Sequence, residues 1–474
     1  MIPYGAGEIG YIIQEQGLNL LLLFYYQQIV GLPGTLTGLA LMISMIVDAI
    51  TDPLIGGWSD RLKSRFGRRH PFILASAIPL GITFILLFSP PDGMTELASF
   101  AWLTVFAVLV RLCMTLYYIP HMALGAEMAG DYNQRSTLFA FSGLIGALTA
   151  AMTHFTVYLF IFPTTEEFSP GTLDPAGYPK FAWMGAIIMI AALFYCVWGT
   201  RKEIPYLKKS TKISTFSFAA VLTDMIAIFK NRNFFILFIA SFLMSIGGAV
   251  TAVFEPYMVL HFWEFDTEDY GWLGLFLLSA FPIAFFLTPV FTRRFGKKHT
   301  LVIVSAVTII LPNLMIVFRL MDVSWFPANE SDWILIIFFA IAYLTMLVGP
   351  IGGATIYSMF ADIADEHDLQ ESERREGSVY AARAFARKAL TGVGTMIGGV
   401  LLDVIKFPEQ AKAGAVPDDI IWRLGFLSGP ALAVIALAGL GLFYFYDLSQ
   451  ERHAEIRRRL AARDASAEKF AQNQ

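Results

Sequence analysis

The chain contains 474 residues, of which 56% are hydrophobic, 15% aromatic and 15% charged, and its net charge is −4. Ordinary soluble domains carry roughly 45–50% apolar and about 25% charged residues, so this composition excludes a disordered chain and most soluble enzymes. With two cysteines and no basic domain, the sequence predicts neither a disulfide framework nor a nucleic-acid partner. It predicts a polytopic membrane protein.

The predicted elements are twelve apolar segments, each long enough to cross a bilayer as a helix of about 20 residues. They are rich in Gly, Ala, Ser and Thr, which let membrane helices pack closely. In chain order the segments lie near 7–30, 36–57, 71–89, 97–120, 137–161, 181–199, 233–260, 271–291, 300–320, 332–358, 378–404 and 422–446.

Basic residues are distributed unevenly among the loops that join these segments. The loops after the second and eighth segments, the connector after the sixth and the C-terminal tail are rich in Lys and Arg. The loops after the first, third, seventh and ninth segments contain neither residue. Because cytoplasmic loops of membrane proteins carry an excess of Lys and Arg, the pattern predicts that both termini lie in the cytoplasm, below a plasma (inner) membrane.

A short motif occurs twice, in corresponding loops. Residues 65–70 read Arg-Phe-Gly-Arg-Arg-His and join segments two and three, whereas residues 294–299 read Arg-Phe-Gly-Lys-Lys-His and join segments eight and nine. The repeat predicts two pseudo-symmetric six-helix halves, the architecture of the major facilitator superfamily. The predicted divisions are 1–200 for the first half, 201–232 for a cytoplasmic linker, 233–446 for the second half and 447–474 for a cytoplasmic tail.

Two carboxylates interrupt the second apolar segment. Asp48 and Asp52 are four residues apart, so they project from one face of a helix, where each ionised group costs roughly 2.5–3.5 kcal/mol. Like charges this close repel one another unless they share a cation, and oxygen donors with Thr51 beside them suit a hard monovalent ion or a proton. Alternatively, Asp52 caps a helix break at Pro53, or one aspartate pairs with an arginine.

The sequence around these carboxylates resembles a known family. Residues 48–54 (Asp-Ala-Ile-Thr-Asp-Pro-Leu), Asp60-Arg61 and residues 67–71 resemble the glycoside–pentoside–hexuronide:cation symporters, the melibiose-permease-like branch of the major facilitator superfamily. The segment is equally similar to the sodium-dependent lysophosphatidylcholine symporters. The resemblance covers essentially the whole chain. It implies a transporter rather than an enzyme, with no organic cofactor.

The resemblance also implies positions for the transported cation and for conformational control. The implied cation site consists of Asp48, Thr51, Asp52 and Thr115, with Na⁺ favoured over H⁺ as the coupling ion; no other metal is expected. The implied gating residues, which hold one conformation of the transporter rather than contact substrate, are Asp60, Arg61, Arg65, Arg68 and Arg69, with Asp362 and Asp365 as their counterpart in the second half.

The substrate positions depart from the family pattern. Charged residues that bind sugar in the family are replaced here by Ile12, Tyr118 and Gly143. The candidate cavity residues are instead aromatic, basic or isolated acids, namely Tyr25, Tyr26, Tyr118, Glu255, Arg387 and Lys388. Aromatic walls beside basic residues favour a lysophospholipid or a similar amphiphile as substrate.

Several alternatives remain open from the sequence. The substrate is alternatively a glycoside, and Lys388 alternatively pairs with the aspartates of segment two. A non-transporting membrane sensor or scaffold is the alternative from another class, although buried acids are costly without a transport role. Other charges near segments one and four are expected to form interhelical pairs or gates (Glu8, Glu15, Arg111 and Glu127), whereas His121, His154 and His261 are isolated in sequence. We expect a monomer surrounded by membrane lipids.

Overall fold

The computed structural model describes residues 1–62, 64–128, 132–206, 229, 231–371, 376–412, 414–448 and 450–472. Within these ranges the regular elements are helical and no β-strand occurs. The all-α architecture predicted from the sequence is therefore confirmed for the described part of the chain.

The α-helices follow the apolar segments in chain order. They are α1 (Ile2–Gln16), α2 (Gly34–Arg61), α3 (His70–Leu87), α4 (Glu96–Met128), α5 (Tyr132–Thr156), α6 (Gly177–Thr200), α7 (Arg232–Tyr257), α8 (Thr267–Leu278), α9 (Ala280–Leu320), α10 (Asp332–Glu371), α11 (Glu376–Val404), α12 (Asp418–Phe426), α13 (Leu432–Leu442) and α14 (Gln450–Gln472). A short α-helix (Leu22–Phe24) follows α1, and π-helical turns extend several helices, at Gly17–Leu21, Tyr25–Val30, Val157–Ile161, Met258–Phe262 and Leu427–Ala431. Turns of 3₁₀-helix cover Gly171–Leu173, Arg201–Tyr206 and Phe443–Phe445.

Nine helical stretches in the described residues are long and apolar enough to cross a membrane. One of them, α9, contains a break at Gly296, where φ is 73° and ψ is 164°, so it comprises two helices. The first helix α1, with its π-helical extension, and the shorter apolar stretch Leu390–Val404 lie outside those nine. Together these elements correspond to the twelve segments predicted from the sequence.

The helices form two compact units. Unit one comprises Met1–Phe216, Gly248–Leu278 and Lys388–Ser428, and unit two comprises Ser217–Gly247, Ser279–Arg387 and Gly429–Gln474. The division into halves at 1–200 and 233–446, with a linker at 201–232 and a tail at 447–474, stays a prediction. Residues 207–228 of that linker lie outside the described residues.

In unit one, glycines bring α2 close to α11. A Cβ atom at Gly38 would lie 2.9 Å from the Cα of Met396, and one at Gly34 would meet the backbone of Gly399. Small residues four apart let membrane helices approach one another closely. Asp403 fixes the start of α2, since its carboxylate accepts hydrogen bonds from the backbone N–H groups at the first turn. This approach places Lys388, near the middle of α11, beside the carboxylates of α2.

Unit two has its own hydrophobic core. Buried side chains from α7, α9, α10, the 3₁₀ turn after α13 and the tail helix α14 pack together: Phe234, Leu237, Ala240, Leu301, Met359, Phe360, Ile363, Phe443, Tyr446, Leu448, Ile456 and Leu460. The tail helix therefore belongs to the packed structure of this unit. Among the side chains described in this helix, Ile456 and Leu460 are buried.

Candidate functional site

The two carboxylates of α2 lie side by side on one face of the helix. The hydroxyl oxygen of Thr115, on α4, lies 2.8 Å from Asp48 Oδ1 and 3.1 Å from Asp52 Oδ1. The ammonium group of Lys388, on α11, donates to Asp48 Oδ2 at 2.7 Å and to Asp52 Oδ2. Three helices of unit one therefore converge on the two carboxylates.

Burial and charge balance explain why this cluster is stable in an apolar chain. The Asp48 side chain is 8% exposed and the Asp52 side chain 21%. Arg111 adds a second cation, with Nη1 3.6 Å from Asp48 Oδ2 and 3.8 Å from Glu15 Oε1. Buried like charges repel one another unless cations lie near them. Lys388 and Arg111 compensate the aspartates, and Arg111 extends the network from α4 to α1.

Other members predicted for this region occupy different positions. The Thr51 hydroxyl donates to the main-chain oxygen of Asp48 at 3.2 Å, rather than to either carboxylate. The side chain of Arg387 lies outside the described residues. Of the two roles that the sequence left open for Lys388, the geometry matches pairing with the aspartates. The described residues contain no group of three or more His, Cys, Asp or Glu side chains arranged to hold a metal ion.

A polar strip on α1 and on the π-helical turn that follows it continues the network. Asn19 Nδ2 donates to Glu15 Oε2 at 2.9 Å, and one turn earlier the ring of Tyr11 stacks on that of Tyr118 of α4, with ring centroids 4.1 Å apart. Tyr11, Glu15 and Asn19 recur every four residues and so share one helix face. Sequence reasoning did not assign Tyr11 or Asn19 to a site, although this spacing was the signal that could have found them.

The aromatic residues predicted for the cavity serve different purposes. Tyr25 and Tyr26 are buried, and their hydroxyls donate to the main-chain oxygens of Phe88 at 3.3 Å and of Leu87 at 2.8 Å. These bonds hold the extension of α1 against the end of α3. Tyr118 instead contributes its ring to the stack beside the polar strip.

Glu255, the acid predicted for the cavity from segment seven, lies in a separate cluster of unit one. It accepts a hydrogen bond from the hydroxyl of Tyr270 on α8. The main-chain oxygen of Tyr270 accepts from His154 Nε2 of α5 at 3.0 Å, and the ring of Tyr158 packs edge-on against that of Tyr270. This cluster ties α5, α7 and α8 together.

The loop between α2 and α3 forms the first predicted gate. Arg69 is buried and donates to Asp60, to Ser59 Oγ at 2.5 Å and to Glu127 Oε1 at 2.8 Å. Arg68 also pairs with Glu127, at 3.0 Å. The predicted members Arg61 and Arg65 are exposed, and the Arg65 guanidinium lies over the ring of Phe66. Glu127, at the end of α4, is the residue that unites this cluster.

The corresponding cluster of unit two uses the tail helix. Lys297 Nζ lies 2.6 Å from Asp362 Oδ2, while His453 of α14 lies 3.4 Å from Asp362 and 3.1 Å from Asp365. The neighbouring Glu366 is buried and is held by Asn233 at 3.0 Å and by Arg452 at 3.2 Å. The sequence predicted the two aspartates but not the contribution of the tail.

Glu268, at the start of α8, anchors the loop that follows α5 in unit one. Its carboxylate accepts hydrogen bonds from the backbone N–H and the hydroxyl of Thr164, both at 2.7 Å. Burial raises the pKa of the Glu268 carboxyl, but the bonds from Thr164 outweigh burial and this pKa lies below its usual value. The contact joins the loop after α5 to the start of α8.

Comparison with known proteins identifies the family. The profile of the family described as MFS/sugar transport protein matches residues 3–450. The chain belongs to this family. An uncharacterized symporter of Synechocystis sp. is 24% identical to this family member, over 98% of this chain and 96% of the relative. The isoprimeverose transporter of Lactiplantibacillus pentosus is 22% identical, over 99% of this chain and 94% of the relative.

Solved structures show the same fold. The nucleoside transporter NupG superposes with a TM-score of 0.62 and 15% identity, over 93% of this chain and 98% of its own. The xylose transporter XylE from E. coli, in an inward-open conformation, gives 0.56 and 14% identity over 94% of each chain. This member of the MFS/sugar transport family is thus a major facilitator transporter of the symporter type, integral to the membrane, and not an enzyme.

The arrangement limits what this transporter can do chemically. Its central cluster offers carboxylate and hydroxyl oxygens, which suit a hard monovalent cation or a proton. The neighbouring polar strip offers a carboxylate, an amide and the ring of Tyr11, and Tyr118 of α4 adds a second ring. Together these groups can orient a polar organic molecule. Arg111 lies near Asp48 of the central cluster and near Glu15 of the polar strip. A change of charge in the cluster would therefore alter the electrostatic environment of the strip.

Proposed function

We propose that this protein is a cation-coupled symporter of a glycoside that works by alternating access, with Na⁺ bound at Asp48 and Asp52. The observation that carries the proposal is that the ammonium group of Lys388 lies between the two carboxylates and contacts both. Thr115 supplies a further oxygen to the same site. No organic cofactor is required, and H⁺ is the alternative coupling ion.

Lys388 would make the site responsive to the ion. An ammonium group and a sodium ion cannot both occupy the point where the two carboxylates converge, because two cations a few ångströms apart repel one another. Binding of Na⁺ would therefore release Lys388 from the aspartates. Since Lys388 belongs to α11 and the aspartates belong to α2, ion binding would change how strongly these helices are tied together.

The polar strip on α1 supports a glycoside as substrate. The carboxylate of Glu15 and the amide of Asn19 can accept and donate hydrogen bonds to sugar hydroxyls, which need such partners to offset their desolvation. The stacked rings of Tyr11 and Tyr118 provide an apolar wall beside them. The relative named as an isoprimeverose transporter supports the same substrate class.

One observation favours a lysophospholipid as the second candidate. An apolar cavity of about 310 Å³, open on one side, lies among α1, α5 and α6. Its walls include Ile13, Leu148, Met152, Phe181 and Ile188. Such a cavity could hold part of an acyl chain while the basic residues near α2 hold a phosphate headgroup.

The proposal also covers conformational control and orientation in the membrane. The clusters around Arg69 and around Asp362 would stabilise one conformation of the cycle and separate during the change to the other. The protein would act as a monomer in an inner membrane, with both termini in the cytoplasm, as the distribution of basic residues predicts.

Uptake into proteoliposomes tests the proposal. Purified protein is given labelled isoprimeverose or labelled lysophosphatidylcholine under an inward Na⁺ gradient, an inward H⁺ gradient or no gradient. We expect Na⁺-driven accumulation of the sugar; accumulation of the lysolipid alone would move the assignment to the second candidate. No accumulation of either under any gradient would contradict coupled symport of both classes.

Variants locate the ion site. Asp48→Asn should abolish stimulation by the cation, whereas Asp418→Asn, which alters an exposed carboxylate at the start of α12, should leave it intact. Lys388→Gln should bind Na⁺ more tightly in calorimetry, because the competing ammonium is gone, yet lose accumulation against a gradient. Unchanged Na⁺ binding in both Asp48→Asn and Lys388→Gln would place the ion elsewhere.

A further inference from the structure

A buried acid and a buried histidine face one another away from the α2 carboxylates. Glu8 of α1 is 8% exposed and His121 of α4 is fully buried, with His121 Nε2 3.9 Å from Glu8 Oε1. His121 therefore has an acidic neighbour, which corrects the expectation from the sequence that it is isolated. Neither residue belongs to the cation site or to the polar strip proposed for the substrate.

The hydrogen bonds around this pair leave one position unfilled. Glu8 Oε1 lies 3.1 Å from the hydroxyl of Ser142, and His121 Nδ1 lies 3.7 Å from Cys196 Sγ. His121 Nε2 is buried and has no hydrogen-bond partner among the described residues. A buried polar nitrogen without a partner is costly, and here it is aimed at a carboxylate that lies just beyond hydrogen-bond distance.

Close packing fixes the two side chains in place. A Cβ atom at Gly7 would lie 2.8 Å from His121 Nε2, so only glycine lets the histidine approach α1 this closely. On its other face, the imidazole stacks on the ring of Tyr4, with centroids 4.3 Å apart. The hydroxyl of Tyr117 is engaged with the main-chain oxygen of Gly7. The geometry is thus built around the pair rather than left open for solvent.

The charges around the pair determine its ligand. The titratable side chains that face it are Tyr4 on α1, Tyr117 and Tyr118 on α4 and Cys196 on α6, while α5 contributes the neutral Ser142. None of these groups is a cation, so an ionised Glu8 has only His121 to compensate it among these neighbours. A buried carboxylate without a compensating charge takes up a proton instead.

We propose that Glu8 and His121 form a second ion site, whose ligand is a single proton shared between the two side chains. With the proton on Glu8, the pair is a carboxylic acid beside a neutral imidazole. Transfer to Nε2 gives a carboxylate beside an imidazolium, and release of the proton leaves one buried negative charge. The site lies on α1 and α4, the helices that also hold Glu15 and Thr115. The charge between these two helices would therefore depend on pH.

Infrared difference spectroscopy on the full-length reconstituted protein tests this site without any transport substrate. The protein is held in saturating NaCl and titrated between acidic and alkaline buffer, while the carbonyl band of protonated carboxylic acids is recorded. We expect a band that disappears on alkaline titration and is missing from Glu8→Gln. In His121→Asn the band should be larger, because the proton then has only the carboxylate to occupy, and it should disappear at a lower pH.

A matched control distinguishes this site from a general effect of losing a buried histidine. His261 is also buried, and its Nε2 also lacks a hydrogen-bond partner in the described part of the chain, but its ring packs on Phe407. His261→Asn should leave the titration of the band unchanged. Absence of a titrating band in the wild type, persistence of the band in Glu8→Gln, or identical titrations in His121→Asn and the wild type would each overturn the proposal. Should Glu8→Gln fail to fold, the comparison of the two histidine variants still decides.

Discussion

The two basic loops repeat a sequence motif, but the cations that neutralise the nearby carboxylates differ between them. Each contains a glycine with positive φ, 75° at Gly67 and 73° at Gly296. In each loop a basic side chain pairs with a carboxylate near the end of a later helix: Arg69 with Glu127 of α4, and Lys297 with Asp362 of α10. In unit one, Arg69 is 6% exposed and contacts several acceptors. In unit two, Lys297 is 36% exposed and contacts Asp362.

The difference lies in what supplies the remaining positive charge. In unit one the loop itself provides two arginines, and Glu127 accepts from both. In unit two the tail helix α14 provides His453 and Arg452 to the acids at the end of α10. In both loops, therefore, a carboxylate lies beside the repeated motif, but the residues that supply the positive charge to it are different.

Neutralising the buried arginine should have the largest effect. Arg69→Gln removes the cation that Glu127 and Asp60 share and leaves Arg68 as the remaining partner of Glu127, so the cost should be about 3 kcal/mol, the lower end for breaking a buried pair. Lys297→Gln should cost less than about 1 kcal/mol, because its side chain is partly in solvent and His453 still contacts Asp362. The free energy of unfolding in mixed micelles measures both. Equal losses in the two variants would contradict the contrast between the loops.

Removing the tail helix should have an intermediate effect confined to unit two. Truncation after Leu448 removes His453 and Arg452 and exposes the surface that Ile456 covers. Hydrogen exchange should then accelerate at the end of α10 but not at the end of α4. Truncation after Ala462 is the control, because it keeps all three side chains. Unchanged exchange in α10, or equal acceleration in α4, would show that the tail does not act as proposed.

The sequence was informative wherever the pattern is local. The spacing of Asp48 and Asp52 predicted a shared helix face, and Thr115 and Lys388 contact both carboxylates there. The clustering of Lys and Arg predicted that both termini are cytoplasmic, which stays a prediction. The apolar lengths predicted the helices. Even the break in α9 is marked by Gly296 of the repeated motif.

Contacts between distant segments were not predictable in this way. Arg69 and Glu127 are far apart in sequence, and many acids were available to the loop arginines. Only the packing of α4 selects Glu127. The same applies to His121, whose acidic neighbour Glu8 comes from another helix, and to α14 of the predicted tail, whose Ile456 is buried against other helices of unit two.

The last predicted effect concerns the two glycines, and here both loops should lose stability. A Cβ atom at Gly67 would make only ordinary contacts, at 3.5 Å or more, and one at Gly296 would meet nothing within 4 Å. Alanine at either position is therefore penalised by its backbone conformation alone, about 1–3 kcal/mol. The conformation of Gly296, with φ 73° and ψ 164°, is one that essentially only glycine adopts.

Helical glycines in open space provide the matched controls for this last comparison. A Cβ atom added at Gly143 of α5 or at Gly353 of α10 would also meet nothing within 4 Å, but the backbone at both positions is helical. Alanine at these positions should stabilise the protein by up to about 1 kcal/mol, because alanine favours the helix. Opposite signs for the loop and helix substitutions, measured by unfolding in micelles, would assign the cost to positive φ. A larger loss at Gly67 than at Gly296 would instead show that the first loop is held more tightly than its contacts indicate.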